Sequence, residues 1–396
     1  MWAIALGLAL GPAVALGLGR FAYGLLLPSM RSDLSWSFAQ AGTMNTANAV
    51  GYLIGAFLAA PITARSGARR AFVGSLVLTA LALVGCAASR SFAILFVLRL
   101  VAGITGAVSF IVGATLAAHV ARESDSRAAS VLGLYFAGGG LGIAVTGLLI
   151  PPLLANTGAG NWRWAWVVLG ALAFAGTAAA LPAVRRAPEP TRDSRDGTRG
   201  WRPGPTAVTM GAYALFGAGY IAYVTFIVAF LKAGGSGTGR ISAFWVLFGL
   251  AAIAWSFVWS PVLGRLRGGG GIALVIGVVT LGALFPLIWD SSGGAFASAL
   301  LFGSFLTVPT AVTAFARRVY EPQLWTISIA ALTVAFALGQ CLGPVLAGVI
   351  SDGPSGVRAG LMLSVVILAA GALLAVAQPQ RETRSDVPGA SNLRRG

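Results

Sequence analysis

Residues 91–118 read SFAILFVLRLVAGITGAVSFIVGATLAA, and Arg99 is their only charged residue. The stretch is long enough to cross a hydrocarbon core about 30 Å thick, which takes about 20 helical residues. An arginine at the centre of such a helix costs about 2.5–3.5 kcal/mol on insertion scales and usually faces a bundle interior or a water-filled path. The segment therefore predicts a membrane helix with a functional arginine.

Eleven other uncharged or nearly uncharged stretches of comparable length make up most of the chain. In order, the twelve segments cover residues 2–30, 34–64, 71–89, 91–118, 128–162, 164–184, 203–231, 241–264, 268–289, 291–316, 322–351 and 359–380. Only Arg20 and Arg99 place a charge inside them. The chain is 10% charged, whereas soluble domains are about 25% charged. This composition excludes an ordinary soluble enzyme and predicts an all-α membrane protein with 12 transmembrane helices.

The basic residues are concentrated in alternate connections between the segments. With the N-terminus placed in the cytoplasm, 19 of the 27 Lys and Arg residues lie in cytoplasmic connections or the tail, and six lie outside. This positive-inside distribution predicts that both termini are cytoplasmic. It also explains the net charge of +16 by topology, so the lipid bilayer is a predicted partner and nucleic acid is not.

The two halves of the chain repeat each other. Pro61 and Arg65 recur as Pro261 and Arg265, and Gly142 recurs as Gly343 within a longer glycine pattern. We predict a 6+6 parallel repeat with an N-terminal six-helix bundle (1–184), a cytoplasmic linker (185–204), a C-terminal six-helix bundle (205–380) and a cytoplasmic tail (381–396). Such repeats build two bundles that rock about a central site. Gly142 and Gly343 are predicted to allow close helix packing or, alternatively, to act in gating.

Residues 65–70, RSGARR, follow the second segment. They resemble the inner-loop motif of the major facilitator superfamily, which implies a gating role for Arg65, Gly67, Arg69 and Arg70. Ala64 stands where that motif has an aspartate, so the charge relay of the aspartate is not carried over. Arg99-x-x-x-Gly103 is similar to the fourth-helix motif of the superfamily, whose arginine is implied to act in proton coupling or substrate binding.

The chain is also similar to the YbfB/YjiJ-like branch of this superfamily over nearly its whole length. The likeness is carried by residues 19–23 (GRFAY), 28–30 (PSM), 45–48 (NTAN), 162–166 (WRWAW) and 219–223 (GYIAY). The branch implies a multi-pass carrier of the bacterial inner (plasma) membrane, without a defined substrate. The superfamily implies that helices 1, 4, 7 and 10 line a central cavity.

Arg20 lies eight residues before Pro28, where the first helix is predicted to leave the membrane, and Arg99 lies eight residues after Ser91, where the fourth enters it. Both arginines are thus about 12 Å deep at 1.5 Å per residue. All eleven acidic residues lie outside the segments, so neither arginine has a predicted acidic partner. An anionic or polar ligand would offset the cost of such a cation. We predict a substrate site made of Arg20, Tyr23, Asn45, Asn48, Arg99, Tyr220, Tyr223 and Thr310. The alternatives are core packing by the tyrosines, helix cross-linking by the asparagines and a backbone-pinning role for Arg99.

The sequence has no Gly-x-x-x-x-Gly-Lys-Ser/Thr loop, which argues against ATP-driven transport. One histidine and two dispersed cysteines cannot supply a haem or zinc site, so we predict no cofactor, no metal and no enzyme.

The predicted function is secondary transport of a small polar, anionic or amphipathic organic molecule, with efflux favoured. Protons are the candidate coupling ion, and the predicted state is a monomer. The alternatives are a facilitated uptake or exchange carrier without proton coupling, and a membrane-embedded sensor or enzyme.

Overall fold

The computed structural model describes residues 1–121, 128–157, 159–189, 202–266 and 268–379. Twelve helices in these ranges are long and apolar enough to cross a membrane, which confirms the predicted all-α class. They are α1 (Trp2–Asp33), α2 (Phe38–Ser66), α3 (Ala68–Ala87), α4 (Phe92–Ala121), α5 (Ala128–Thr157), α6 (Trp162–Arg186), α7 (Ala207–Ala233), α8 (Thr238–Arg265), α9 (Gly270–Ile288), α10 (Ser292–Val319), α11 (Trp325–Ser351) and α12 (Gly356–Val376).

Successive helices run in opposite directions, so their ends form two faces of the molecule. We call the face with the α2–α3, α6–α7 and α10–α11 connections the basic face, and the opposite one the far face. The predicted linker (185–204) and tail (381–396) fall partly or wholly outside the described residues. The domain boundaries therefore stay predictions, as does the side of the membrane on which each face lies.

Helix α1 is not a regular α-helix throughout. The Ala22 N–H donates to the Gly17 carbonyl, five residues back, at 3.0 Å. This is the hydrogen-bond spacing of a π-helix. The conformation is rare in proteins, and where it occurs it often lies at a functional site. Three stretches follow one another in α1: an α-helix (Trp2–Pro12), a π-helix (Ala13–Phe21) and a second α-helix (Tyr23–Asp33). The π-helical stretch contains Arg20, which the regular helical spacing used for the sequence did not anticipate.

Helix α10 is interrupted as well. Its two α-helical parts, Ser292–Phe302 and Val308–Val319, are joined by a 3₁₀ turn over Gly303–Thr307. A 3₁₀ stretch inside a long helix often marks a functional hinge or a sequence under strain. Here it carries Phe305, one of the rings near the centre of the molecule.

The sequence repeat corresponds to a repeated packing arrangement. Gly142 of α5 lies against the backbone of Ala13 in α1, and Gly343 of α11 lies against the backbone of Ala218 in α7. A Cβ atom at either glycine would collide with the facing carbonyl oxygen. Small residues let helices approach this closely in lipid, where no hydrophobic force drives them together. Each bundle thus contains the same glycine contact between its first and fifth helices.

The two bundles meet along α2–α11 and α5–α8. Gly147 of α5 lies against Trp245 of α8, and Gly348 of α11 lies against Phe38 of α2. These contacts are also related by the repeat, because each joins the fifth helix of one bundle to the second helix of the other. The same two helices, α5 and α11, therefore pack within their own bundle and across the interface.

Candidate functional site

Arg20 is buried at the interface between the bundles. It is 3% exposed, and its Nη2 donates to Oε1 of Gln340 in α11 at 2.7 Å. Its guanidinium lies 5.1 Å from the ring centre of Tyr52 in α2. The buried Nε makes no hydrogen bond. Among the described residues no ion pair involves Arg20, so its charge is met only by neutral groups.

Gln340 uses both ends of its amide. While Oε1 accepts from Arg20, Nε2 donates to the Tyr220 hydroxyl at 2.6 Å. The orientation of the amide is fixed because a guanidinium has donors only. Arg20 belongs to the first bundle and the other two residues to the second, so this network crosses the bundle interface. A site that closes around a molecule between two bundles needs contacts of this kind.

Aromatic rings surround the network. Tyr220 stacks with Phe216 at 5.0 Å between ring centres, and with Phe305 and Phe336 at 5.6 Å each. Phe21, next to Arg20, meets Phe305 edge to face at 5.4 Å. The centre of the protein thus combines one cation and an amide with apolar ring faces. This combination suits a ligand that has a polar end and an apolar body.

Arg99 is more deeply enclosed. It is 1% exposed, and its Nη1 donates to the Gly19 carbonyl at 2.6 Å. The guanidinium lies 5.0 Å from the Tyr23 ring centre and 5.5 Å from that of Trp166. Because Gly19 directly precedes Arg20, Arg99 positions the backbone of the π-helical stretch. This geometry favours the backbone-pinning alternative for Arg99 over direct substrate binding.

The two asparagines of α2 join neighbouring helices. Asn45 donates to the Thr225 hydroxyl in α7 at 2.5 Å, which links the bundles. Asn48 donates to the Arg99 carbonyl in α4 at 3.2 Å, within the first bundle. The buried Oδ1 of Asn45 has no hydrogen-bond partner. Asn48 therefore has the geometry of a helix cross-link, while Asn45 also keeps a free acceptor beside the interface.

The candidate tyrosines do not share one environment. The Tyr23 hydroxyl donates to the Ala41 carbonyl at 2.7 Å, a hydrogen bond that joins α1 to α2. The Tyr223 hydroxyl bonds with Ser298, and its ring lies 4.2 Å from Phe302, both in α10. The contacts of Tyr23 and Tyr223 favour the core-packing alternative. Tyr220 is the one predicted tyrosine that shares a partner with Arg20.

Several residues that the sequence did not single out belong to this region. Gln340 and Tyr52 contact Arg20, and Thr225 contacts Asn45. In α10, Thr307 is buried with an unpartnered hydroxyl, whereas the predicted Thr310 is exposed and lies outside the network. An amide in the middle of an apolar helix was the available signal for Gln340.

The inner-loop motif lies on the basic face. Gly67 has φ 80°, a backbone conformation that favours glycine, and it turns the chain between α2 and α3. Arg69 donates to the Ala187 carbonyl at 2.5 and 3.0 Å. The Glu189 carboxylate accepts from the backbone N–H groups of residues 68 and 69 at 3.2 and 3.3 Å. The motif is thus fastened to the end of α6 in its own bundle. Its other two arginines, Arg65 and Arg70, are exposed.

Asp352 joins the bundles on the far face. It follows the last residue of α11, and its carboxylate accepts from the N–H groups of Phe38 at 2.7 Å and Ala39 at 3.0 Å. It therefore caps α2 from the opposite bundle, where the positive end of the helix dipole favours a carboxylate. Burial raises the pKa of Asp352, but the bonds from Ala39 and Phe38 lower it, and the net pKa lies below the ordinary value.

We expect Asp352→Ala to favour separation of the bundles on the far face by about fivefold, since a helix cap is worth about 1 kcal/mol. Because the pKa of Asp352 is lowered, its carboxylate is ionised and caps α2 fully at neutral pH. This stabilisation is lost only as the pH falls through that pKa, so the distance between the bundles in the wild type should not change between about pH 5 and pH 8. Distances between spin labels at Ser35→Cys and Pro354→Cys, with both native cysteines replaced by alanine, measure the separation. A distance distribution that is identical in wild type and Asp352→Ala would contradict this expectation.

Solved structures of known transporters share this fold. A bacterial homolog of the human lysosomal transporter Spinster, inward-facing and occupied, is 17% identical, with a TM-score of 0.70 over 94% of this chain and 95% of that one. A D-xylose-proton symporter is 13% identical, with a TM-score of 0.75 over 96% of this chain and 98% of that one. The nucleoside transporter NupG is 14% identical, with a TM-score of 0.71 over 95% and 98%. At these identities the likeness establishes the fold alone.

The sequence itself matches a family. Residues 12–376 match the family described as uncharacterised MFS-type transporter YbfB, which covers the chain from α1 to the end of α12. Transporters of this family move small molecules by alternating access and are not enzymes. The chain therefore belongs to the YbfB-type family of the major facilitator superfamily and is a multi-pass membrane transporter of a small molecule.

Proposed function

We propose that this protein is a secondary carrier of the bacterial inner membrane that moves a small anionic or amphipathic organic molecule, with efflux as the favoured direction. Both termini lie in the cytoplasm in this proposal, so the basic face is cytoplasmic and the far face external. The distribution of Lys and Arg along the chain supports this orientation. The carrier acts as a monomer, because the central region lies between the two bundles of one chain.

The observation that carries the proposal is the environment of Arg20. A buried cation is costly unless an opposite charge or several strong hydrogen bonds compensate it. Arg20 has one hydrogen bond, to a neutral amide, and an aromatic ring beside it. An anionic group of a substrate would supply the missing charge. Since Arg20 and its partner belong to different bundles, substrate bound there would contact both moving parts of the carrier.

A second candidate is a facilitated uptake or exchange carrier without proton coupling. It is favoured by the position of the acidic residues, because those in the described ranges lie at helix ends or in connections. They are Asp33, Glu189, Asp290, Glu321 and Asp352. A carboxylate within the membrane is the usual carrier of a coupled proton. Flux measured with and without an imposed pH gradient separates the two candidates, because only the coupled carrier concentrates its substrate at the expense of the gradient.

Purified protein in proteoliposomes loaded with a bacterial metabolite extract tests the proposal. We expect one or more small anions to leave the vesicles in a protein-dependent manner. Arg20→Ala should lower that flux at least about tenfold, because a hydrogen bond to a charged group is worth about 1.5–3 kcal/mol. Arg163→Ala, at an exposed arginine on the far face, is the matched control and should leave the flux unchanged. Equal flux in wild type and Arg20→Ala would refute the site, and no flux of any compound would refute the function.

A further inference from the structure

The amide of Gln340 occupies the place where an anion would meet Arg20. Gln340 is 0% exposed, so its Oε1 reaches the guanidinium inside the protein rather than at a wet surface. Its carbonyl group has the same planar geometry as one arm of a carboxylate. A carboxylate brings a full opposite charge to the guanidinium and can accept two parallel hydrogen bonds from it, whereas Oε1 of Gln340 is neutral and accepts one. Arg20 would therefore exchange this neutral acceptor for an anionic one with a gain in free energy.

The surroundings restrict the anion that could make this exchange. Arg20 has one unpartnered buried donor, Nε, beside the Nη2 that Gln340 holds. These two donors fit the two oxygens of a single carboxylate. Arg99 directs its Nη1 to the Gly19 carbonyl and lies against the rings of Tyr23 and Trp166, while its Nε and Nη2 have no partner in the described part of the chain. We assign the carboxylate to Arg20, which has the link to the second bundle. The geometry thus suits a monovalent carboxylate better than a phosphate or a dicarboxylate.

The ring faces beside the network indicate the rest of the ligand. Tyr220 and Phe305 are nearly parallel, with an interplanar angle of 20°, and Tyr220 and Phe336 are inclined by 9°. These buried rings stack on one another in this structure, and a planar aromatic group that replaced one of these contacts would make the same kind of stacking interaction. The Tyr220 hydroxyl, released when Gln340 moves, is a neutral hydrogen-bonding group at the edge of that surface.

On the basis of the proposed function, we propose that Gln340 is an internal stand-in for the substrate carboxylate and that the substrate is a small aromatic monocarboxylate. The substrate displaces Oε1 of Gln340 from Arg20. The displacement also breaks the hydrogen-bonded link from α1 through α11 to α7, which joins the two bundles. Substrate binding and the loss of this link between the bundles are therefore the same event at Gln340.

Benzoate and its neutral isostere benzamide test the proposal through the melting temperature of the purified carrier. Benzoate should raise the melting temperature of the wild type by at least about 2 °C, and benzamide should leave it unchanged. In Gln340→Glu the introduced carboxylate pairs with Arg20, so the protein should melt higher without ligand and bind benzoate at least about tenfold more weakly. In Gln340→Met the competing amide is gone, so benzoate should stabilise this variant at least as much as the wild type.

Gln40→Glu is the matched control, since it introduces the same charge at an exposed residue of α2 and should keep the wild-type response to benzoate. The proposal is overturned if benzoate and benzamide act alike on the wild type, or if Gln340→Glu binds benzoate as tightly as the wild type does. Both comparisons are independent of flux. An Arg20-dependent flux of a non-aromatic anion together with no benzoate effect would refute this inference while leaving the proposed function intact.

Discussion

Gly142→Val and Gly343→Val are each expected to abolish the folded carrier. Both glycines lie against the backbone of a neighbouring helix in their own bundle, and a valine side chain would have to displace a carbonyl oxygen of that helix. Overpacking a tight core typically costs about 1–3 kcal/mol, and more when backbone rather than a side chain must move. The expected result is a loss of the monodisperse peak in size-exclusion chromatography of the detergent-solubilised protein.

Gly277→Val in α9 is the matched control, because no neighbouring atom lies within 4 Å of a Cβ at that glycine. It should express and elute like the wild type. The experiment also separates the two hypotheses for the repeated glycines. A Gly142→Val protein that folds normally but does not transport would support the gating role, whereas loss of the folded protein supports close packing.

Arg99→Ala is expected to lower the free energy of unfolding by about 2–5 kcal/mol, the range found when a large buried side chain is removed. The substitution empties the space beside Tyr23 and Trp166 and leaves the Gly19 carbonyl without its donor. A large drop in the melting temperature of the purified protein would report the loss. Flux should fall as well, because the π-helical stretch that carries Arg20 is no longer held.

Arg99→Lys and Arg99→Met distinguish positioning from substrate binding. Lysine retains one donor for Gly19 but not the planar fork with which arginine holds a carboxylate. If Arg99 pins the backbone, Arg99→Lys should keep most of the flux. Arg99→Met fills the same space without a hydrogen-bond donor, so it should be as stable as the wild type but transport substrate more slowly. A stable Arg99→Lys with no flux would contradict the positioning role and return Arg99 to the substrate site.

The number of helices and the repeat could be predicted from the sequence, because both follow from simple patterns. Membrane helices must be long and uncharged, and a repeated bundle needs small residues at equivalent contacts. The burial of Arg20 and Arg99 without acidic partners was also predictable, since carboxylates are absent from the apolar segments. These predictions depend on composition and spacing along one helix at a time.

The composition of the site was less predictable, because it depends on which helix faces which. Tyr220 and Tyr223 are only three residues apart, yet one shares Gln340 with Arg20 and the other packs on α10. Gln340 follows Gly339 in a glycine pattern that indicates close packing, and nothing in that pattern distinguishes a packing amide from one that faces Arg20. The contact of Asp352 with α2 joins residues more than three hundred positions apart, and no local pattern predicts it.

The π-helical stretch in α1 affects how relatives of this protein are aligned with it. A turn closed by five-residue rather than four-residue spacing takes up about one residue more than the regular helix it replaces. A relative whose first helix is regular would therefore need a one-residue gap somewhere between Pro12 and Ala22. Without that gap, a sequence alignment would place Arg20 opposite the residue next to its true counterpart in the relative. An arginine that both proteins share would then be scored as absent.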